Sequence, residues 1–97
     1  MEFRRLRRSR TEHSVRFPFG SVTAAFSAKG GTITDIRLWG DYFGSAPVSA
    51  LEDALRGTEL RRDALRASLE KAAHPVSACI AGADAEDIVS LILGDVL

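Results

Sequence analysis

From Ser21 to Leu38 the apolar side chains recur at about every second position, and beyond Gly44 they recur at every third or fourth. Few sequence features constrain a fold as tightly. An alternation of two describes a half-buried strand, and a spacing of 3.6 describes a helix with one buried stripe. A chain that changes period once builds its strands first and its helices afterwards. That order predicts an α+β two-layer domain, in which helices cover one face of a small antiparallel sheet of two to three strands. With 97 residues there is room for one such domain. It would bury roughly 60–65% of the surface of its unfolded chain, too little for a deep two-substrate pocket.

The first predicted strand is 20–28, where Val22, Ala24, Phe26 and Ala28 alternate with Ser21, Thr23, Ala25 and Ser27. Gly30-Gly31 follows, two residues that tolerate positive φ and so suit a two-residue hairpin turn. The chain should return antiparallel over 32–39. Its apolar set, Ile33, then Ile36 and Leu38, shifts parity once, which calls for a bulge or for burial on both faces near Asp35. Trp39, ending this apolar run, is expected in the core. Upstream, Phe3, Leu6, Val15, Phe17 and Phe19 fit a third antiparallel strand or two fragments, with Pro18 pushing it to a sheet edge.

Three helices are expected. Ser49 and Glu52 match a capping box that would start the first, 49–56, with Leu51 and Leu55 on its buried face and Gly57 as a left-handed stop. The second, 61–73, stacks Leu65, Leu69 and Ala72 and ends before His74-Pro75, since a residue preceding proline avoids the α region. Asp84 and Asp87 cap a third, 85–93, striped by Ile88, Leu91 and Ile92 and closed by Gly94. Between the last two, Val76–Ala81 is apolar and reads as extended.

Charge divides the chain unevenly. Six arginines against Glu2 and Glu12 give residues 1–16 a charge of +4, and seven cations against eleven acids leave the rest at −4. Residues 1–16 are thus expected to form a basic arm or edge strand ahead of a domain at 17–97. No apolar run nears the ~20 residues that cross a bilayer, and polar residues follow the basic start where a signal peptide would be apolar. A cytoplasmic protein is expected, without membrane contact. One cysteine, Cys79, makes neither an internal disulfide nor a multi-cysteine metal site.

The residues Arg16-Phe17, Gly20, Gly30-Gly31, Ile33, Ile36, Leu38, Gly40-Asp41-Tyr42-Phe43, Leu51-Glu52, Leu55 and Gly57 stand in an order and spacing that resembles the accessory domain of lipoate-protein ligases. The likeness runs over 16–93 and is strongest in 20–57. Members of that family typically carry Gly-Asp-Phe-Phe where this chain has Gly40-Asp41-Tyr42-Phe43, and a leucine-x-glycine element matched by Leu55-Arg56-Gly57. Late in the domain, where an aromatic often precedes the last helix, this chain has Ser77-Ala78-Cys79-Ile80. The resemblance implies a component of an ATP-dependent ligase that supports lipoyl-AMP formation. A separate catalytic domain would bind ATP, Mg and lipoate and serve a lipoyl carrier domain. This chain carries no counterpart of that domain's arginine- and glycine-rich motif or nucleotide lysine, so the resemblance implies no catalysis by it alone.

Gly40, Asp41, Tyr42 and Phe43 lie where the last strand gives way to the first helix, and junction loops held by rigid elements commonly carry function. They are the expected contact surface for the catalytic domain. Asp41 could equally be a turn acceptor bonding nearby backbone N–H groups, and Tyr42 and Phe43 could divide their roles, one ring buried and one exposed. Two readings of another class remain. The arginines from Arg4 to Arg10 could hold nucleic-acid phosphates, although no basic stripe continues into the body and no aromatics interleave with them as a stacking platform requires. Cys79 could transfer sulfur, but Val76, Ala78 and Ile80 offer no base or cation to activate it, so a buried inert thiol is expected. His13 and His74 lack partners at metal-ligand spacing.

Overall fold

The computed structural model describes residues 10–94, arranged as β1 (Arg10–Phe17), β2 (Gly20–Lys29), β3 (Thr32–Asp41), α1 (Ser49–Leu55), α2 (Arg62–Glu70), α3 (Val76–Cys79) and α4 (Ala85–Leu93). The cluster Arg4–Arg8, with Phe3 and Leu6, lies outside the described residues. The sheet is antiparallel with order β1-β2-β3; α1 and α4 pack on one of its faces and α2 lies against both helices, in a core that includes Val22, Ala24, Ile36, Leu38, Leu51, Leu55, Leu65 and Ile88. This is the α+β architecture expected. Among the described residues no helix is long and apolar enough to cross a membrane.

β1 is one continuous strand, paired with β2 from Arg10↔Ser27 to Phe17↔Gly20. His13, Val15 and Phe17 turn toward the helices and are half-buried, while Glu12, Ser14 and Arg16 are exposed. Between β2 and β3, Gly30 and Gly31 take φ of 61° and 80°, the positive values that let two residues reverse the chain. The parity shift in β3 is a bulge: Ser27 pairs with Asp35 and Ala28 with Ile33, so Thr34 is the extra residue. It lets Ile33 and Ile36 both reach full burial. Ala28, expected on the apolar face, is exposed. The cover at that end is the 57–60 segment, which bonds along the outer edge of β3 through Ile33 N–H to Thr58 O (2.9 Å) and Leu60 N–H to Gly31 O (2.8 Å) and does not reach across to β2.

The expected capping box on α1 does not form. Val48 holds the N-cap position with no side-chain bond, and the Glu52 carboxylate accepts from the Leu38 N–H at 2.7 Å. An edge-strand amide needs a partner more than a solvated helix start does, and a carboxylate is a strong one. Gly57 has the expected positive φ of 87°, yet its N–H donates to Ile33 O at 2.8 Å and not to a helix carbonyl. α2 stops three residues before the expected end because its last turn tightens: Lys71 N–H bonds Ser68 O and Ala72 N–H bonds Leu69 O, the i to i−3 pattern of a closing 3₁₀ turn.

The segment read as extended, Val76–Ala81, contains the one-turn helix α3, so the described residues form four helices and not three. Val76, Cys79 and Ile80 are all buried, and their spacing of three and four residues is a helical face too short to show its period in the sequence. α4 starts and stops as expected. Asp87 N–H donates to Asp84 Oδ1 at 3.0 Å, Asp84 N–H donates to Asp87 Oδ2 at 3.1 Å, and Gly94 closes the helix at φ 74°. His13 of β1 reaches its last turn, 3.0 Å from Leu91 O through Nδ1; a carbonyl only accepts, so the ring nitrogen is the donor. Arg62 and Arg66 of α2 both clasp Glu86 of α4.

Candidate functional site

Gly40 and Asp41 end β3, paired with Val22 and Ser21. A Cβ on Gly40 would stand 2.1 Å from the Ser21 carbonyl oxygen, so the backbones meet there only because the side chain is missing. The chain then leaves the sheet and is tied to α3. Phe43 O accepts from Ala81 N–H at 2.6 Å, and Ala78 O accepts from Ser45 N–H at 2.8 Å and Ala46 N–H at 3.0 Å. Gly44 makes that approach possible, since a Cβ on it would lie 1.9 Å from Cys79 O. Three backbone bonds within four residues make this loop an extension of the packed core.

On this fixed backbone the two rings part company. Tyr42 is half-buried and packs on the core; burial raises its hydroxyl pKa, with the Glu52 carboxylate and Cys79 adding to the shift. Phe43 is 85% exposed. A fully wet phenyl ring gains nothing from folding, so its stability comes from elsewhere in the loop. Asp41 is exposed, and among the described residues its carboxylate accepts no hydrogen bond. The turn-acceptor role is therefore not seen, because Asp41 is still a strand residue opposite Ser21 and the chain bends only after it. Trp39, expected in the core, is 46% exposed. Leu38 pairs with Ala24 on the covered face, so Trp39, opposite Thr23, falls on the open one.

The fold adds a second element, which the sequence pattern presents only as strand. The β1–β2 turn, Pro18-Phe19, reverses beside Asp41, and Phe17 and Phe19 stack at 4.8 Å with their rings 7° from parallel. Proline between two aromatics at a turn was the available signal: it fixes the bend and puts both rings on one side of it. Arg16, Phe17, Phe19, Asp41 and Phe43 line an open cavity of about 490 Å³. Behind the stacked pair, Gly82 and Asp87 bound another of about 440 Å³.

Other candidates are absorbed by the fold. Cys79 is buried, its thiol faces Pro47 O at 3.5 Å, and burial raises its pKa, the reverse of what a nucleophile needs. His13 is spent on Leu91 O. Among the described residues no three His, Cys, Asp or Glu side chains group as a metal ion would require.

Residues 8–92 match the family model described as bacterial lipoate protein ligase C-terminus. Over 58 residues, 60% of the chain, it is 38% identical to lipoate-protein ligase LplJ of Bacillus subtilis and spans 18% of that protein. It is 34% identical over 58 residues to lipoate–protein ligase 2 of Staphylococcus aureus, spanning 17% of it. The chain thus covers less than a fifth of the length of these relatives. A chain from the solved structure of an archaeal lipoylation system, a bi-partite lipoate protein ligase and its E2 lipoyl domain from Thermoplasma acidophilum, superimposes with a TM-score of 0.67. The match covers 89% of this chain and 97% of that one at 21% identity, and so speaks to the fold.

Proposed function

The chain belongs to the bacterial lipoate protein ligase C-terminus family, and from that premise we propose that it is an accessory domain or subunit supporting lipoate adenylation by a separate catalytic domain. The surface that serves this role is Gly40, Asp41, Tyr42 and Phe43. One observation carries the reading: Phe43 is held 85% exposed on a backbone pinned to α3. A solvated ring on a mobile loop would mean little, but a solvated ring on a fixed one is an anchor already paid for in entropy. ATP, Mg and lipoate belong, in this reading, to the catalytic domain. The setting is cytoplasmic, and a lipoyl carrier domain is met only through the catalytic partner.

The test separates the two half-reactions. With the catalytic domain supplied separately, Asp41→Ala and Phe43→Ala should slow lipoyl-AMP formation about tenfold, the effect of losing roughly 1.4 kcal/mol of transition-state support. Transfer from pre-made lipoyl-AMP to a carrier domain should stay near the wild-type rate. Equal loss in both half-reactions, or in neither, contradicts the assignment.

A further inference from the structure

Arg16, Ser21 and Asp41 form one row across the three strands, on the sheet face that the helices leave open. The outer members carry opposite charges on backbones about 9.5 Å apart, two strand spacings, with Ser21 between them. Neither charge is bonded to another residue among those described, and both are exposed. This row and the residues Phe17, Phe19 and Phe43 line the same cavity of about 490 Å³.

We infer that this cavity is the seat of a complementary patch on the catalytic unit of a lipoate-protein ligase: an apolar surface against Phe43 and the Phe17–Phe19 stack, flanked by an acidic group opposite Arg16 and a basic group opposite Asp41. The inference rests on the reading in the preceding subsection and specifies its partner surface. A small anion is not the occupant, because Asp41, lining the same cavity, cancels the attraction of Arg16. Two fixed charges of opposite sign contribute little net pull. What they contribute is register, since a partner rotated by half a turn meets like charges. Aromatic anchor, polar rim and fixed backbone are the parts of a protein–protein contact.

The experiment is calorimetric titration of the full chain with the separately produced catalytic unit, alongside lipoyl-AMP formation. All the altered side chains are exposed, and matching thermal unfolding confirms intact variants. Phe43→Ser should weaken binding at least about tenfold, and Arg16→Glu about fivefold, with a loss of salt dependence. The swap Arg16→Glu with Asp41→Arg keeps the net charge, yet should bind more weakly than either single variant. Lys29→Glu, at the far end of the sheet, should change nothing. If the wild-type chain binds and stimulates adenylation while these variants stay within roughly twofold of it, or if the swap restores binding, the partner does not read this row and the inference falls. A wild-type chain that neither binds nor stimulates removes the accessory reading itself, and this surface with it.

Discussion

At one end of the sheet the chain turns through Gly30 and Gly31. At the other it turns through Pro18 and Phe19 and departs through Gly40–Phe43. Around the first turn a Cβ on either glycine would meet nothing within 4 Å, whereas around Gly44, in the departing loop, it would meet the Cys79 carbonyl at 1.9 Å. The first end asks only for backbone freedom. The second is packed from below and displays the ring of Phe43. Two places with the same topological task of reversing or releasing a strand therefore differ in what they were built to keep. A turn that merely closes a hairpin can be bare, while a turn that presents side chains has to be braced.

That contrast can be broken by adding one methyl at each end. Gly44→Ala should lower stability by about 3 kcal/mol, since its Cβ overlaps backbone that cannot swing aside. Gly31→Ala carries only the left-handed penalty at φ 80°, roughly 1–2 kcal/mol. Urea unfolding of both variants gives the order directly, and equal losses would show that the departing loop is no more braced than the hairpin.

Alkaline titration offers a smaller effect from one end alone. Tyr42 belongs to the departing loop and Cys79 to the helix that braces it, and burial raises both pKa values above their ordinary 10.0 and 9.0. A raised acid favours the folded state while protonated. Their contribution is thus complete below about pH 9 and fades as pH climbs through the folded-state values. Cys79→Ser with Tyr42→Phe should flatten the fall in melting temperature above pH 9. Smallest of all, Phe43→Ser should leave stability within about 0.5 kcal/mol of wild type while removing support for adenylation. A large loss of stability would make Phe43 a packing residue after all.

Legibility in the sequence followed the range of the interactions. α4 could be read to its ends because Asp84, Asp87 and Gly94 act within one turn of their own helix, and Gly30-Gly31 could be read because a turn is decided by its own φ values. Glu52 was misread because its true partner, the Leu38 amide, is set by where β3 comes to rest. Trp39 was misplaced for a related reason: composition of the strand says apolar, but only pairing with Thr23 says which face. Of the site, the segment Gly40–Phe43 stood out locally. The β1–β2 turn joined it only because antiparallel pairing returns Phe17 and Gly20 to the edge where Asp41 ends.

The bond from His13 to Leu91 spans 78 positions, and it sets an order of events during synthesis. The sheet can form as soon as residue 41 is free of the ribosome, but the helix that receives His13 emerges after every other described element. At ordinary elongation rates the interval is roughly 3–10 s. Through it the nascent hairpins hold a half-covered apolar face, and the domain becomes a finished object only when its first strand and last helix meet.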